Sequence, residues 1–375
     1  MPSASPSTPS SANNRNTRPT PVTDPKDSML SPALPVHAPA PAPDLTALPQ
    51  HVPLAVQTRD GLVESIHYGS VIATAPDESA DGGLRTLFSA GAPLAPFYPR
   101  SSLKPLQAVA MVRAGLNLPA DLLALTAASH SGAAMHRDGA LRILEMHGLT
   151  PEALENSTDL PYGPDEREEW LRNGGTATQL TQNCSGKHAA MAATCVINGW
   201  TVSGYLDPEH PLQQLVAATV GELTGEEPER TSTDGCGTPL FALTLRGMAR
   251  AFGRLAAAVL TDPGSPEAAV GRAIIQHPDM VAGEGRDVTE LMRLLPGAVA
   301  KDGFEGVQLV GLPDGRAVAV KISDGGDRAR MPVTVRALGA LDVDTAPLAG
   351  IATAAVLGGG RPVGELTATA FLPAT

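Results

Sequence analysis

The chain has 375 residues, a formal net charge of −12, 42% hydrophobic residues and 3% aromatic residues. These values suit a soluble globular protein, and an acidic chain without basic runs argues against nucleic-acid or anionic-membrane partners, which require clustered Lys and Arg. No run of about 18 apolar residues occurs, and the N-terminal stretch lacks the apolar segment of a signal peptide. We therefore expect a cytoplasmic protein that acts on a small molecule.

Residues 1–50 contain 12 of the 35 prolines, set among Ser, Thr, Ala and Asn without apolar periodicity. This composition predicts a disordered tail. From residue 51 to residue 375 the apolar content is even and no linker or repeat recurs, which predicts one catalytic domain that could have two lobes.

The predicted elements run from strands through helices and back to strands. Residues 54–90 alternate in polarity and predict antiparallel strands, and residues 307–323 predict a hairpin with its turn at 313–315. Apolar residues recur at helical spacing in six segments between or beside them: 108–116, 136–148, 187–199, 211–225, 239–259 and 287–295. The pattern indicates an α+β fold, an antiparallel sheet covered by helices.

Lysine is scarce in a chain that otherwise uses arginine for positive charge. Of 27 basic residues only five are lysine: Lys26, Lys104, Lys187, Lys301 and Lys321. Lysine can lose its proton when it is desolvated or lies near another cation, whereas arginine keeps its proton in proteins. The lysines outside the tail are therefore candidates for positions where an amine is chemically required.

Ser101 and Lys104 stand three residues apart in the segment PRSSLKPLQ. Pro105 is tolerated only in a first helical turn, so Ser101 should lie at or just before a helix N-terminus, with Lys104 one turn later on the same face. A neutral lysine amine could then take the proton of the serine hydroxyl during nucleophilic attack. A capping serine followed by an exposed lysine is the structural alternative.

Two further segments carry candidate chemistry. Ser129 lies in a Gly-punctuated turn before a helix, where a partner amine could come from Lys301 or Lys321, although helix capping also explains such a serine. Cys184 and Cys236 with a nearby imidazole would suit Zn²⁺, in a spacing unlike that of a zinc finger. His188 is the third metal ligand that these residue types suggest, and Cys195 in an apolar helix is expected to be inert.

Six segments together resemble the class 3 L-asparaginase family, also called L-asparaginase II or rhizobial-type: PRSSLKPLQA, AASHS, QNCSGKHAAM, TSTDGCGTP, HPDMVAGEGR and VKISDG. The resemblance runs from residue 63 to about residue 326. It implies a serine β-lactamase-like fold, a homodimer and hydrolysis of L-asparagine to L-aspartate and ammonia. The proline-rich tail has no counterpart in the family pattern.

The resemblance also implies a set of site residues. Ser101 with Lys104 and Ser129 with Lys301 resemble the two serine–lysine pairs of the family. The zinc ligands that it implies are Cys184, Lys187 and Cys236, with water completing the shell. In this reading Ser101 is the nucleophile, Lys104 is its neutral base, and the two lysines disfavour each other's protonation because they carry like charge.

L-Asparagine carries an α-carboxylate and an α-ammonium group, which require opposite charges near the site. Arg100 and Asp234 are the candidates for these contacts, with His188 as a further substrate-binding residue, and an ion pair of purely structural value is the alternative. Two other functions stay open: a penicillin-binding or β-lactamase-like serine hydrolase, and a zinc-binding scaffold without catalysis. Penicillin labelling and ammonia release from asparagine distinguish them.

Overall fold

The computed structural model describes residues 44–80 and 83–372. The chain divides into two compact units, Met1–Leu48 and Pro49–Thr375. The described residues of the first unit form one 3₁₀ turn, Leu45–Ala47, whose first turn is capped by the Asp44 carboxylate. Most of the predicted disordered tail lies outside the described residues, so the tail and the domain boundary stay predictions.

The strands of the second unit form one large antiparallel sheet and one small hairpin. Their bounds are β1 Val52–Arg59, β2 Leu62–Pro76, β3 Leu84–Ala90, β4 Thr231–Thr233, β5 Pro239–Phe241, β6 Val299–Gly303, β7 Val307–Gly311, β8 Ala317–Ile322, β9 Ala354–Gly358 and β10 Arg361–Ala368. The large sheet has the order β6-β7-β8-β2-β1-β10-β9, with β3 paired to β2, and β4 pairs with β5. The predicted strands at both ends of the domain are confirmed.

Helices fill the chain between β3 and β6, apart from the short β4–β5 hairpin, and return after β8. Their bounds are α1 Lys104–Arg113, α2 Ala120–Thr126, α3 Ala134–Met146, α4 Pro164–Arg172, α5 Ser185–Asn198, α6 Pro211–Thr224, α7 Leu245–Thr261, α8 Pro266–Gln276, α9 Pro278–Val281, α10 Asp287–Leu294, α11 Arg330–Gly339 and α12 Ala349–Ala352. The predicted α+β architecture, an antiparallel sheet covered by helices, is confirmed.

One helix prediction was too long. Residues 239–259 were predicted as a single helix, but Pro239–Phe241 forms β5 and α7 begins only at Leu245. The reason is a cap: the Thr244 side chain accepts a hydrogen bond from Gly247 N and ends the extended segment there. The turn that connects β4 to β5 contains Asp234 and Cys236.

Strands β6, β7 and β8 form the most enclosed part of the sheet. Every residue of β6 and β7 is buried, and because successive side chains point to opposite faces, both faces must be covered. Helices α7 and α11 both pack against β7 and β8. This enclosure makes β6 a position where a charged side chain loses its contact with water.

The C-terminal strands complete the sheet beyond the segment where the sequence resemblance ended. Strand β10 pairs with β1 through Ala55↔Ala368, Val56↔Thr367 and Gln57↔Leu366. No strand was predicted in this region, because the residues of β9 and β10 are mostly exposed or half-exposed and alternate weakly. Among residues 44–80 and 83–372, no helix has the length and apolar character needed to cross a membrane.

Candidate functional site

Ser101 lies where the chain turns into α1. Residues Arg100–Leu103 form a 3₁₀ turn that continues directly into the helix, with Pro105 in its first turn. Arg100 adopts φ +53°, a left-handed conformation that is uncommon for any residue except glycine. Such a conformation requires support from its surroundings and is often found beside functional groups. The predicted position of Ser101 just before the helix is confirmed.

A glycine lets β6 approach this turn closely. A Cβ atom added at Gly303 would lie 2.5 Å from the Pro99 carbonyl oxygen, well inside normal contact distance. A second glycine, Gly186, permits an equally close approach of α5 to α2, since a Cβ there would lie 2.4 Å from Leu125 Cγ. These contacts bring the starts of α1 and α5 and strand β6 to one place.

Lys104 is the centre of the hydrogen-bond network at that place. Its side chain is buried, and Nζ donates to Ala128 O at 2.6 Å, to Ser129 Oγ at 2.9 Å and to Cys184 Sγ at 3.0 Å. Three acceptors thus surround the amine nitrogen. The structure therefore joins the serine of the second predicted pair, the lysine of the first and a predicted zinc ligand in one network.

The serine–lysine pairing in the structure differs from the pairing that the resemblance implied. The amine of Lys104 contacts Ser129, and none of its hydrogen bonds goes to Ser101. Helical spacing places Ser101 and Lys104 on one face, but the loop after α2 offers a carbonyl and a hydroxyl that fit the buried amine together. Ser101 nevertheless lines the same cleft as Ser129, and the chemical roles of both serines stay predictions.

Lys301 in β6 pairs with Asp302 and not with Ser129. Its fully buried Nζ donates to Asp302 O at 2.8 Å and forms an ion pair with the Asp302 carboxylate. Burial lowers the pKa of Lys301 to about 8, although the Asp302 carboxylate opposes this shift, and the charge of Lys104 lowers the pKa further. Lys104 therefore lowers the pKa of Lys301, as predicted for two lysines of like charge.

The two cysteines of the predicted zinc site each lie against a buried lysine. Lys187 Nζ donates to Cys236 Sγ at 3.2 Å and to Thr238 Oγ1 at 2.9 Å, while Cys184 Sγ accepts from Lys104. The pKa of Cys236 lies well below its usual range, chiefly through its interaction with Cys184, and the charge of Lys187 also lowers it. The pKa of Cys184 lies well above its usual range, through the same interaction and through burial.

His188 is bonded to a buried tyrosine. Tyr205 Oη accepts from Glu155 N at 3.0 Å and lies 2.8 Å from His188 Nδ1, so the phenol proton is free for that ring nitrogen. The tautomer that follows carries its proton on Nε2, which is buried without a hydrogen-bond partner. Burial lowers the pKa of His188 to about 4. The ring is therefore neutral, and its role as a metal ligand, which the residue types suggested, stays a prediction.

The donors at this place fit a zinc ion in chemical type. Two cysteine sulfurs and one amine are gathered by α5 and by the turn between β4 and β5, and thiolates are preferred ligands of Zn²⁺. No group of three or more His, Cys, Asp or Glu side chains able to hold a metal occurs among the described residues. A metal there would thus need the Lys187 amine, and in neutral form.

Arg100 and Asp234, the predicted substrate contacts, form an ion pair with each other. Arg100 Nε donates to Asp234 Oδ1 at 2.6 Å, and the guanidinium lies 5.2 Å from the centre of the Phe304 ring. The Asp234 carboxylate also accepts from Gly235 N at 2.8 Å. This geometry matches the structural alternative for the pair, and the predicted substrate role stays untested.

The cleft beside the network is small, with a cavity volume of about 20 Å³, and contains residues that the sequence did not single out. Its lining side chains are those of Ser101, Ser129, Tyr162, Asn183, Arg286, Asp302, Phe304 and Asp327. A tyrosine, an amide, a guanidinium and two carboxylates thus surround the two serines. The quoted segments QNCSGKH and HPDMVAGEGR contained Asn183 and Arg286, which was the only sequence signal for them.

Two other candidates lie away from this cleft. Lys321 donates to Glu305 O at 2.6 Å and to Ile322 O at 2.7 Å, and lines a separate cavity beside His51. It is therefore not the partner amine of Ser129 that the sequence left open. Cys195 is fully buried in α5, and burial raises the pKa of its thiol to about 11, as an inert core cysteine requires.

Comparison with known proteins connects this geometry to a family. A family model described as L-asparaginase II matches residues 55–368, which is more than the segment carrying the sequence resemblance. No curated protein matches the chain.

Solved structures similar to the chain are distant. One is a crystal structure of a putative beta-lactamase from Bacteroides dorei, with 14% identity, a TM-score of 0.38 and coverage of 72% of this chain and 93% of that one. Another is Mglu in its native form, with 12% identity, a TM-score of 0.34 and coverage of 73% and 61%. The chain thus spans about three fifths of Mglu.

Proposed function

The chain belongs to the L-asparaginase II family, and from this we propose that it hydrolyses the side-chain amide of L-asparagine to L-aspartate and ammonia through a serine acyl-enzyme. The observation that carries the proposal is the hydrogen bond of 2.9 Å from Lys104 Nζ to Ser129 Oγ beside a cleft that also exposes Ser101. A fully buried amine bonded to a hydroxyl at the edge of a polar cleft supports proton transfer rather than a role in surface charge.

In the first step, Ser101 Oγ attacks the amide carbon. The serine proton passes to the Lys104 amine in its neutral form, and Ser129, whose hydroxyl contacts that amine, would act as the relay. The C–N bond then breaks, the leaving nitrogen takes a proton, and ammonia departs. An ester between Ser101 and the aspartyl β-carboxyl group remains.

In the second step, water attacks the ester carbon and gives its proton to the same lysine. The Ser101 oxygen leaves and is protonated, which releases aspartate and restores the resting state. Lys301, with its pKa lowered to about 8 by burial, is the second amine able to accept a proton near neutral pH. Its contacts to Asp302 make it a group that tunes the charge of the site rather than one that meets the substrate.

Zinc is part of the proposal. Cys184, Lys187 and Cys236 would hold the ion, and a bound Zn²⁺ would supply a fixed positive charge and anchor the sulfurs beside Lys104. The cysteines would shape the pocket, since Cys184 already contacts the Lys104 amine. Hydrolysis itself is assigned to the serines and lysines. A homodimer and a cytoplasmic location, both implied earlier, stay predictions.

Ammonia release from L-asparagine and L-glutamine, measured with and without added zinc, tests the activity. We expect release from L-asparagine by the wild-type protein and its loss in Ser101→Ala. A matched control is Ser265→Ala, which removes a serine that caps α8 far along the chain. Wild-type protein that releases no ammonia from either amide would overturn the proposal, and covalent labelling by a penicillin would then favour the β-lactam alternative.

A further inference from the structure

The Arg286 guanidinium lines the cleft with one edge unsatisfied. Arg286 immediately precedes α10, and its Nη2 donates to Asp302 Oδ2 at 2.8 Å. Its Nη1 is buried and has no hydrogen-bond partner among the described residues. Buried polar groups of folded proteins are nearly always bonded, and an unpaired charged donor is especially costly. The unpaired edge therefore indicates a partner that is not part of the described chain.

The remaining edges of the guanidinium are held in place. The Tyr162 ring lies against it, with 4.9 Å between the guanidinium carbon and the ring centre, and the Asp302 carboxylate fixes Nη2. Asp302 in turn is held by Lys301. Because the guanidinium is already held in place, its unpaired N–H group can bind a ligand without a further loss of side-chain entropy. A positively charged donor of this kind favours an oxygen anion as the ligand.

The same cleft contains the groups that the rest of an amino acid requires. Asp327 lines it too, and its carboxylate supplies negative charge for an ammonium group, whereas Asp302 is already paired with Lys301 and Arg286. Asn183 and the two serines lie on the same lining and suit a side-chain amide. A cationic donor and a carboxylate within one small cleft match a zwitterionic α-amino acid better than a simple anion or a simple amine.

We propose that Arg286 binds the α-carboxylate of the substrate and thereby selects free amino acids over simple amides. This inference rests on the proposed hydrolysis of L-asparagine. Arg100, the residue expected earlier for this contact, is the weaker choice because its Nε is bonded to Asp234 and it is not part of the cleft lining. Arg286 is a substrate-binding residue in this account, and Asp302 positions it.

Three amides separate recognition of the carboxylate from other effects. L-Asparagine has both the α-carboxylate and the α-ammonium group, succinamate lacks the ammonium group, and 3-aminopropanamide lacks the carboxylate. We expect Arg286→Ala to lower kcat/KM for L-asparagine and succinamate on the order of 10- to 100-fold, the range of one charge-assisted hydrogen bond. For 3-aminopropanamide, kcat/KM should stay within about threefold of the wild-type value.

The matched control is Arg293→Ala, which removes an exposed arginine of α10. Arg293 forms an ion pair with Glu284. This substitution should leave kcat/KM for all three amides unchanged. An equal fall for all three amides in Arg286→Ala would overturn the inference, because Arg286 would then act only through Asp302 and Lys301. A selective loss in Arg100→Ala instead would also overturn it.

Binding of L-aspartate, measured by calorimetry, separates this inference from the proposed function. If the wild-type protein hydrolyses L-asparagine but Arg286→Ala binds L-aspartate as tightly as wild type, the inference fails and the function stands. If the wild-type protein releases no ammonia yet binds L-aspartate only with Arg286 present, the function fails while the carboxylate contact stands. Wild-type protein that neither hydrolyses nor binds overturns both.

Discussion

Replacing Lys301 with methionine tests the electrostatics of the site through the pH dependence of stability. The Lys301 side chain is fully buried in β6 and its Nζ contacts Asp302. Burial lowers its pKa from 10.5 to about 8, against the opposing effect of the Asp302 carboxylate. Methionine has a similar length and no charge, so Lys301→Met removes this titration while filling much of the same space.

The pKa difference fixes both the sign and the size of the effect. In the folded state the lysine loses its proton near pH 8, whereas in the unfolded chain it keeps the proton up to about pH 10.5. Between these values the unfolded state binds more protons, so the wild-type free energy of unfolding rises with pH. The whole difference corresponds to about 3 kcal/mol. Between about pH 7.5 and 9.5, about 2 kcal/mol of it is gained.

Guanidinium chloride unfolding of both proteins at several pH values measures this directly. We expect the wild-type free energy of unfolding, minus that of Lys301→Met, to increase by about 2 kcal/mol between about pH 7.5 and 9.5. Arg336→Met is the control, since arginine does not titrate in this range and its difference from wild type should stay flat. A flat difference for Lys301→Met as well would mean that burial does not lower the pKa of Lys301.

Three further predictions concern the network around α1 and α5. Lys104→Arg introduces a permanent positive charge in place of an amine that can be neutral and accept a proton, so kcat for ammonia release should fall at least about 100-fold; an unchanged kcat would exclude the amine as base. Elemental analysis should find zinc in the wild-type protein and not in Cys236→Ala, and equal metal content in both would contradict the proposed ligand. Tyr205→Phe removes the hydroxyl that bonds Glu155 N and His188, so the free energy of unfolding should fall by about 1–3 kcal/mol, and a fall below about 0.5 kcal/mol would refute that role.

The sequence predicted the parts of the fold that rest on local pattern. Alternation in residues 54–90 and the turn at 313–315 led to β1–β3 and β7–β8, because these strands have one side or both sides buried. The strand Pro239–Phe241 was missed since its short apolar run merges with the helical pattern of α7. Distant pairing of β10 with β1 leaves no local mark in the sequence.

The candidate site was likewise predicted only in part: the sequence indicated residues, and the tertiary structure was needed for their contacts. The scarcity of lysine and the spacing of Ser101 and Lys104 indicated candidate residues, but not which of them touch. Lys104 is bonded to Ser129 because the loop after α2 supplies two acceptors to a buried amine, and only the tertiary structure brings that loop to α1. Arg286 could not be singled out either, since its significance is an unpaired edge inside a cleft.

The central step of the proposed reaction is the formation of an ester between a serine of this cleft and the aspartyl group of the substrate. The most direct test is to quench the wild-type protein with acid during turnover of L-asparagine and to locate the added aspartyl mass by peptide mass spectrometry. We predict the modification on Ser101, and its absence in Ser101→Ala. An aspartyl ester on Ser129 would reverse the roles of the two serines, and rapid turnover without any modified serine would contradict the acyl-enzyme itself.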